Sequence, residues 1–208
     1  MSVRVLSKGE QTRGRLLDIA QDSVLHKGFA ATSIEEIICE AGLTKSGFFY
    51  HFKDKNDLAK ALLQRYLDHE WIVFDGLFKQ ADALSEDPLH GFLIFLKLFA
   101  ETMSDLPSGH PGCLVASYVY QDQMFSREVR EMTTEGHRIW RRRFRERLER
   151  IAQAYPPRID VDLEDMADML SSVADGGIIL SKSLNDPSVL PRQILQYRAY
   201  VRLVFQGS

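Results

Sequence analysis

The spacing of apolar residues along this chain is helical almost throughout. Near the N-terminus, Leu16, Ile19, Ala20 and Val24 recur at intervals of three and four residues, which places them on one helix face. Apolar or small residues repeat in the same way at 166, 169, 170, 173, 177, 180 and 184. The sequence shows no pair of stretches in which apolar and polar residues alternate on either side of a tight turn, the pattern of a β-hairpin. We therefore predict an all-α fold.

Glycine, proline and capping residues divide this helical pattern into segments. An arm at residues 1–7 precedes helices that we predict over 8–27, 34–41, 45–52, 58–82, 88–103, 113–122, 126–154, 162–184 and 188–205. Residues 105–112 are rich in Pro and Gly and form the clearest loop. We place a small domain at residues 1–56 and a larger helical domain at residues 57–208.

The second and third helices have the pattern of a helix-turn-helix. Ser33 and Glu36 have the spacing of a capping box, and Gly42-Leu43 makes a tight turn before Thr44, which can cap the next helix. Phe48 and Phe52 are four residues apart and therefore share its buried face. The pattern predicts DNA binding; the alternative is a helical hairpin with a purely structural role.

The exposed side of the third helix carries the candidate DNA contacts. With Phe48 and Phe52 inward, Lys45, Ser46, Tyr50 and His51 remain for base edges and phosphates. Gly47 costs about 1 kcal/mol relative to Ala inside a helix, and close approach to another surface is a reason to keep it. Lys53 and Lys55 follow as phosphate ligands, and Thr32 and Ser33 lie at a helix N-terminus, where orphan amides attract anions.

Composition neither supports nor excludes a nucleic-acid partner. The formal net charge is -3, and residues 1–60 contain nine Lys/Arg and eight Asp/Glu, so the prediction of DNA binding rests on local placement. No apolar run is long enough for a membrane span, and the first residues do not have the pattern of a signal peptide. Cys39 and Cys113 fit neither a zinc site nor a disulfide framework. We expect a cytoplasmic protein with no cofactor and no metal.

The stretch from Thr32 to Leu58 resembles the N-terminal signature of the tetracycline-repressor (TetR) family. The match covers roughly the first quarter of the chain and is specific in order and spacing. Its matching residues are Thr32, Ile37, Ala41, Gly42, Leu43, Thr44, Lys45, Phe48, Phe52, Lys55 and Leu58.

Two departures from the family pattern affect the proposed DNA contacts. Ser46 stands where many members have Gly, and Gly47 follows it; Phe49 stands where many have a phosphate-binding Tyr, and Tyr50 is next to it. From the residues and the resemblance together, we predict a DNA-binding set of Thr32, Ser33, Thr44, Lys45, Ser46, Gly47, Phe49, Tyr50, His51, Lys53 and Lys55.

The resemblance implies a ligand-responsive regulator, usually a repressor, that binds a palindromic operator in double-stranded DNA as a homodimer and is released by a small-molecule effector. It also implies about nine helices, with the last two forming the dimer. Outside the N-terminal part the resemblance is limited to short, scattered segments. Among them, Pro111–Leu114 and Asp186–Ser188 resemble one large subgroup of the family.

Aromatic and small residues of the larger domain give candidates for the effector site and the dimer. The candidate ligand-binding residues are Trp71, Phe74, Phe95, Phe99, Cys113, Tyr118 and Trp140, although aromatic stripes also build ordinary cores. The candidate interface residues are Val173, Gly177, Leu180, Leu184, Tyr197 and Val201, for which the alternative is intrachain packing.

Two further features have competing interpretations. Cys113 is either a thiol that senses oxidants or electrophiles or a small buried residue. The arginines of the predicted 126–154 helix form a second nucleic-acid surface, an anion site or a solvated face; they are Arg138, Arg141, Arg142, Arg143, Arg145, Arg147 and Arg150. No catalytic constellation is visible, so we expect no enzyme, and the alternative to a regulator is an enzyme or ligand carrier that uses the helix-turn-helix as a scaffold.

Overall fold

The computed structural model describes residues 7–206, and these residues form helices and no strands. The α-helices, in chain order, are α1 (Lys8–Lys27), α2 (Ile34–Ala41), α3 (Lys45–His51), α4 (Lys55–Leu84), α5 (Pro88–Ser104), α6 (Leu114–Val119), α7 (Arg127–Ala154), α8 (Leu163–Ser183) and α9 (Val189–Phe205). A 3-10 turn at Asp122–Met124 lies between α6 and α7. The predicted all-α fold is confirmed.

Capping side chains set most of the helix starts. Ser7 accepts the Glu10 N–H and the Glu10 carboxylate accepts the Ser7 N–H, which completes a capping box before α1. Asp87 accepts the His90 N–H at the start of α5, where Pro88 needs no N–H partner. Of the predicted arm at residues 1–7, only Ser7 lies within the described residues.

Two helices, α4 and α6, differ from the predicted ranges by more than one residue at an end, and the differences have local causes. The Asp54 carboxylate accepts the Asp57 N–H at 2.8 Å, so α4 begins at Lys55 and not at 58. α6 covers only Leu114–Val119, because the Cys113 Sγ accepts the Ala116 N–H and caps the helix from outside. The chain then turns through the 3-10 segment, where we predicted helix as far as 122.

The chain divides into two compact units. Unit 1 contains the residues up to Asp68 together with Cys113–Thr134, and unit 2 contains His69–Gly112 and the residues from Glu135 onward. The predicted division between residues 56 and 57 does not coincide with these limits. Both α4 and α7 contribute residues to each unit.

The core of unit 1 includes aromatic rings from the later segment. Phe29 follows α1 and packs on Phe125 at 4.4 Å between ring centroids and on Tyr118 at 5.8 Å. Tyr118 and Phe125 stack at 4.2 Å, and the Tyr118 hydroxyl donates to the Ala59 carbonyl at 3.0 Å. These rings lie in the same core as Leu16, Ile37, Phe48 and Phe52.

The core of unit 2 is centred on α9, which packs against α5 and α8. Tyr197 is buried on α9, and its hydroxyl donates to the Met166 carbonyl at 2.8 Å. Gly177 of α8 allows close approach to Leu190, because a Cβ at position 177 would lie 2.8 Å from Leu190 Cδ1 and 3.1 Å from its Cα. Since backbone cannot move aside as a side-chain tip can, this contact requires glycine.

We expect Gly177→Ala to destabilise the protein by about 1–3 kcal/mol through overpacking. Gly76→Ala in α4 is the matched control, because a Cβ there would meet nothing within 4 Å and alanine gains roughly 0.5–1 kcal/mol in a helix. Urea unfolding followed by circular dichroism measures both. Equal stabilities for the two variants would contradict the close α8–α9 approach.

Candidate functional site

A tight, glycine-dependent turn sets the position of α3 after α2. Gly42 has a φ of +61°, a conformation that glycine adopts without strain. The Gly42 N–H donates to the Cys39 carbonyl and the Leu43 N–H donates to the Ile38 carbonyl, which is a Schellman ending. The Thr44 hydroxyl then accepts the Gly47 N–H and begins α3. α2 and α3 therefore form the predicted helix-turn-helix.

The two faces of α3 differ in the way that a recognition helix requires. Phe48 is 0% exposed, and Phe52 just beyond the helix is 1% exposed, so both anchor α3 in the core of unit 1. On the other side, Tyr50 is 82% exposed and Phe49 is 43% exposed. Thr44, Lys45 and Ser46 are exposed as well, and His51 is half-buried.

Lys45 and Gly47 make only weak or ordinary contacts within unit 1. The Lys45 ammonium is 3.8 Å from the Glu35 carboxylate, and both side chains are more than two-thirds exposed, so this ion pair contributes little. A Cβ at Gly47 would make only ordinary contacts, the nearest being Thr44 Oγ1 at 3.5 Å. Packing inside unit 1 therefore does not require glycine at position 47. Close approach of another molecule to the α3 backbone remains a reason for it.

Thr32 and Ser33 do not share this exposed face. Thr32 is 1% exposed, and its hydroxyl donates to the Gly28 carbonyl at 3.0 Å and lies 2.9 Å from the Ser23 hydroxyl. The Ser33 N–H donates to Glu36, and the exposed carboxylates of Glu35 and Glu36 repel a phosphate at the start of α2. We therefore leave both residues out of the DNA interface that we propose below.

The two predicted phosphate lysines differ in environment. Lys53 is exposed. The Lys55 ammonium instead turns inward, donating to the Phe29 carbonyl at 2.7 Å and lying 4.3 Å from the Phe29 ring centroid. Partial burial lowers the pKa of Lys55, against a smaller opposing effect of Glu36. Lys55 is thus a structural residue of unit 1, and its prediction as a phosphate ligand is withdrawn.

Most of the candidate ligand-binding residues lie in one aromatic cluster of unit 2. Phe74 is central, at 4.6 Å from Trp140 and 4.9 Å from Phe99 between centroids, and Trp71 lies 6.5 Å from Trp140. Stacked rings extend the cluster on one side, with Phe78 and Phe95 at 4.0 Å. We call the following residues the aromatic cluster: Trp71, Phe74, Phe78, Phe92, Phe95, Phe99, Trp140 and Phe144.

Cys113 and Tyr118 are separate from the aromatic cluster. Both belong to unit 1, where Tyr118 is 1% exposed and burial strongly raises the pKa of its hydroxyl. Cys113 is half-buried and caps α6 through its sulfur. Because both side chains serve the core of unit 1, we remove them from the candidate effector site.

The candidate dimer residues also fall into two groups. Gly177, Tyr197 and Val201 are buried within unit 2, which favours the alternative of intrachain packing for these three. Leu180 and Leu184 are exposed by 46% and 64%, and Val173 is half-buried. Exposed apolar residues on the same helices that the prediction did not include are Met169, Ile179, Leu195 and Leu203.

The α7 arginines mostly pair with acids inside unit 2. Arg141 binds Glu164 and Asp168, Arg145 binds Glu149 and Glu164, and Arg142 binds Glu135. These contacts favour the solvated-face interpretation for this part of the helix. Arg143 is the exception, because it lies among the rings of the aromatic cluster. Helical spacing could have indicated this position, because Arg143 is three residues after Trp140 and therefore shares its helix face.

Residues 7–206 contain neither a metal-binding cluster nor a membrane-spanning helix. No group of His, Cys, Asp and Glu side chains there has the arrangement of a metal site. No helix in that range is both long enough and apolar enough to cross a membrane.

Comparison with known proteins agrees with this geometry. Residues 16–62 match the family described as bacterial regulatory proteins, tetR family. The HTH-type transcriptional regulator AcrR of Shigella flexneri is 36% identical over 58 residues, or 28% of this chain and 27% of that protein. The HTH-type transcriptional regulator YxaF of Bacillus subtilis is 25% identical over 188 residues, or 88% of this chain and 91% of that protein.

A solved structure extends the likeness to the whole fold. A TetR transcriptional regulator from Chloroflexus aurantiacus has a TM-score of 0.78 at 22% identity, covering 96% of this chain and 98% of that one. The first curated relatives, in contrast, are matched over only about a quarter to a half of their length.

The chain is thus a helix-turn-helix protein with a larger helical unit. Over residues 16–62 it is similar to the TetR family, and its fold is that of a solved TetR regulator. The relatives that it matches are named transcription regulators.

We expect Lys55→Ala to lower the free energy of unfolding by about 1–2 kcal/mol, because it removes a charged hydrogen bond to the buried Phe29 carbonyl. Lys53→Ala should change it by less than about 0.5 kcal/mol, as is usual for exposed substitutions. Thermal unfolding of both variants checks the pair. A Lys53 variant that is as unstable as the Lys55 variant would contradict the assigned difference.

Proposed function

We propose that this protein is a ligand-responsive transcription regulator that binds a palindromic operator as a homodimer and releases it when an effector binds unit 2. The observation that carries the proposal is the exposed face of α3, where polar and aromatic side chains project from a helix anchored by two buried phenylalanines. The match of residues 16–62 to the TetR family supports the same assignment. We expect the protein to act in the cytoplasm.

In this proposal α3 enters the major groove of double-stranded DNA. Lys45 and Ser46 lie in its first turn and suit base edges, while Tyr50, His51 and Lys53 suit phosphates. Gly47 brings the helix backbone close to the DNA. The interface we propose contains Thr44, Lys45, Ser46, Gly47, Phe49, Tyr50, His51 and Lys53.

A homodimer is supported by the exposed apolar face of α8 and α9. Leu180, Leu184 and Leu203 are each about half exposed or more, although α8 and α9 also supply the core of unit 2. Large apolar side chains on one face favour burial by a second copy. A dimer places two recognition helices about 34–36 Å apart, which fits successive major grooves.

The aromatic cluster is the effector site that we propose within unit 2. An effector acts only through different affinities for the DNA-binding conformation and for a conformation that binds DNA poorly. We infer repression, as several related regulators are named repressors, while another is named an activator. The alternative function, a ligand carrier that uses the helix-turn-helix as a scaffold, has no observation in its favour.

Selection of DNA fragments from the source genome tests the regulator assignment. The best fragment is titrated with the full chain at two salt concentrations, with a scrambled duplex as control. Specific binding that weakens steeply with salt supports the proposal, since Lys and Arg contacts release counterions from DNA. If a folded protein selects no sequence, the carrier alternative is favoured.

We expect Lys45→Ala to weaken specific binding by about 1–3 kcal/mol and to relax the preference at one base position, if Lys45 reads a base. Tyr50→Phe should weaken binding to all sequences equally, because phosphate contacts carry no sequence information directly. Lys97→Ala in α5 is the control, since this exposed lysine pairs with Glu101 at the surface of unit 2. Wild-type affinity and specificity in both α3 variants would contradict the assigned recognition helix.

We expect Leu180→Glu to convert the dimer into a folded monomer, because a charge would be buried against apolar side chains of the partner. Leu84→Glu, at the exposed end of α4, should remain dimeric. Light scattering after size-exclusion chromatography measures the mass, and circular dichroism confirms the fold. A Leu180 variant that stays dimeric would place the interface elsewhere.

A further inference from the structure

The guanidinium of Arg143 lies among aromatic rings of unit 2. Its central carbon is 4.0 Å from the centroid of the Trp71 ring and 5.2 Å from the centroids of Trp140 and Phe78. Only 16% of its side chain is exposed. The arginine thus presents a planar charged group between flat apolar surfaces, which stabilise it by cation–π attraction.

The hydrogen-bonding capacity of this guanidinium is not filled by the protein. Arg143 Nη1 is buried, and no acceptor for it exists among the described residues. Nη2 reaches the Asp75 carboxylate only at 3.4 Å. A buried charged donor without an acceptor is costly, so the site favours any ligand that brings an acceptor to Nη1.

Asp75 does not neutralise Arg143 fully, because its stronger partner is Lys79. The Lys79 ammonium lies 2.7 Å from the Asp75 carboxylate, and this hydrogen bond is the main reason that the pKa of Asp75 is lowered. The neighbouring Arg147 is already paired, since its guanidinium donates hydrogen bonds to both carboxylate oxygens of Asp82. Glu146 affects Arg143 only at a distance. The charge left over at Arg143 is therefore positive.

We propose that the effector site in unit 2 recognises an organic anion, specifically a carboxylate attached to a flat aromatic body, with Arg143 as the residue that binds the carboxylate. This inference rests on the proposed function, since it names the chemical class of the effector. The carboxylate bonds to Nη1 and a second guanidinium N–H, in the two-point arrangement that arginine favours. The aromatic body packs against Trp71, Phe74 and Trp140.

Access and charge both support this choice of ligand. Trp71 is 47% exposed, so the ring that covers one face of the guanidinium lies at the surface of unit 2. A cationic ligand would face the charge of Arg143 at close range. A neutral ligand of the same shape would gain the aromatic contacts but leave the charged donor with a weaker acceptor.

Three naphthalene compounds of the same shape separate these possibilities. Naphthalene-2-carboxylate, naphthalene-2-carboxamide and 2-naphthylmethylammonium are titrated into the full chain by calorimetry, without DNA. We expect the carboxylate to bind at least about tenfold more tightly than the carboxamide, the difference typical of a charged hydrogen bond, and the ammonium to bind most weakly. The two tryptophans of the chain both contact Arg143, so a change in tryptophan emission confirms the location.

Arg143→Gln should abolish the preference for the carboxylate and change carboxamide binding by no more than about twofold, because the rings remain. Arg143→Lys should restore only part of the preference, since it keeps the charge but loses the planar fork. The matched control is Arg142→Gln, one residue earlier on the exposed face, where the side chain is 59% exposed and pairs with Glu135. Thermal unfolding is recorded for each variant, because a purely structural Arg143 would alter stability without altering anion selectivity.

The inference is overturned if wild-type protein does not prefer the carboxylate, or if Arg143→Gln keeps that preference. DNA release is measured separately on the selected operator. If the protein binds the carboxylate selectively but does not release the operator DNA, the anion site is supported and its role as effector site is rejected. If a neutral or cationic compound releases the operator DNA, and Arg143→Gln does not change that release, the regulator function is supported and this inference is rejected.

Discussion

The contact on which the helix-turn-helix depends is the packing of Phe29 against Phe125 and Tyr118. Phe29 lies in the turn after α1, and the other two rings belong to a segment that begins at Cys113. Polar contacts hold the same segment in place: Gln121 accepts the Ala30 N–H across 91 residues of sequence, and Asn56 accepts the Ser126 N–H at 2.9 Å. The orientation of α2 and α3 therefore rests partly on residues far from them in the chain, because α1, α2 and α3 share one core with this later segment.

Local signals in the sequence were sufficient for most of the fold. The range of α1, the capping box at Ser33 and the glycine turn before α3 all agree with the prediction, since each depends on residues a few positions apart. The domain division was not accessible in this way. Nothing local indicates that Tyr118 packs beside Phe29, because helical spacing shows which face of a segment is apolar and not what covers that face.

The same limit explains the outcome for the sites. On α3 one face is fixed by Phe48 and Phe52, so the exposed positions followed directly from the spacing. Lys53 and Lys55 looked equivalent in sequence, and only the position of the Phe29 carbonyl separates them. On α8 and α9, Leu180 and Tyr197 are both apolar by pattern, yet one faces outward and the other is covered by α8 of its own unit.

The composition of unit 1 has a consequence for how the chain is made and how it can be recombined. During synthesis, α1, α2 and α3 leave the ribosome before the segment that begins at Cys113. Their core stays incomplete until Phe125 has emerged, so the helix-turn-helix matures late. A chimeric regulator built by joining residues 1–56 to the remainder of another protein would strip Phe29 of its aromatic partners. The transplantable module is discontinuous. Under the proposed function, operator specificity is therefore better exchanged between relatives by substitutions at the exposed positions of α3.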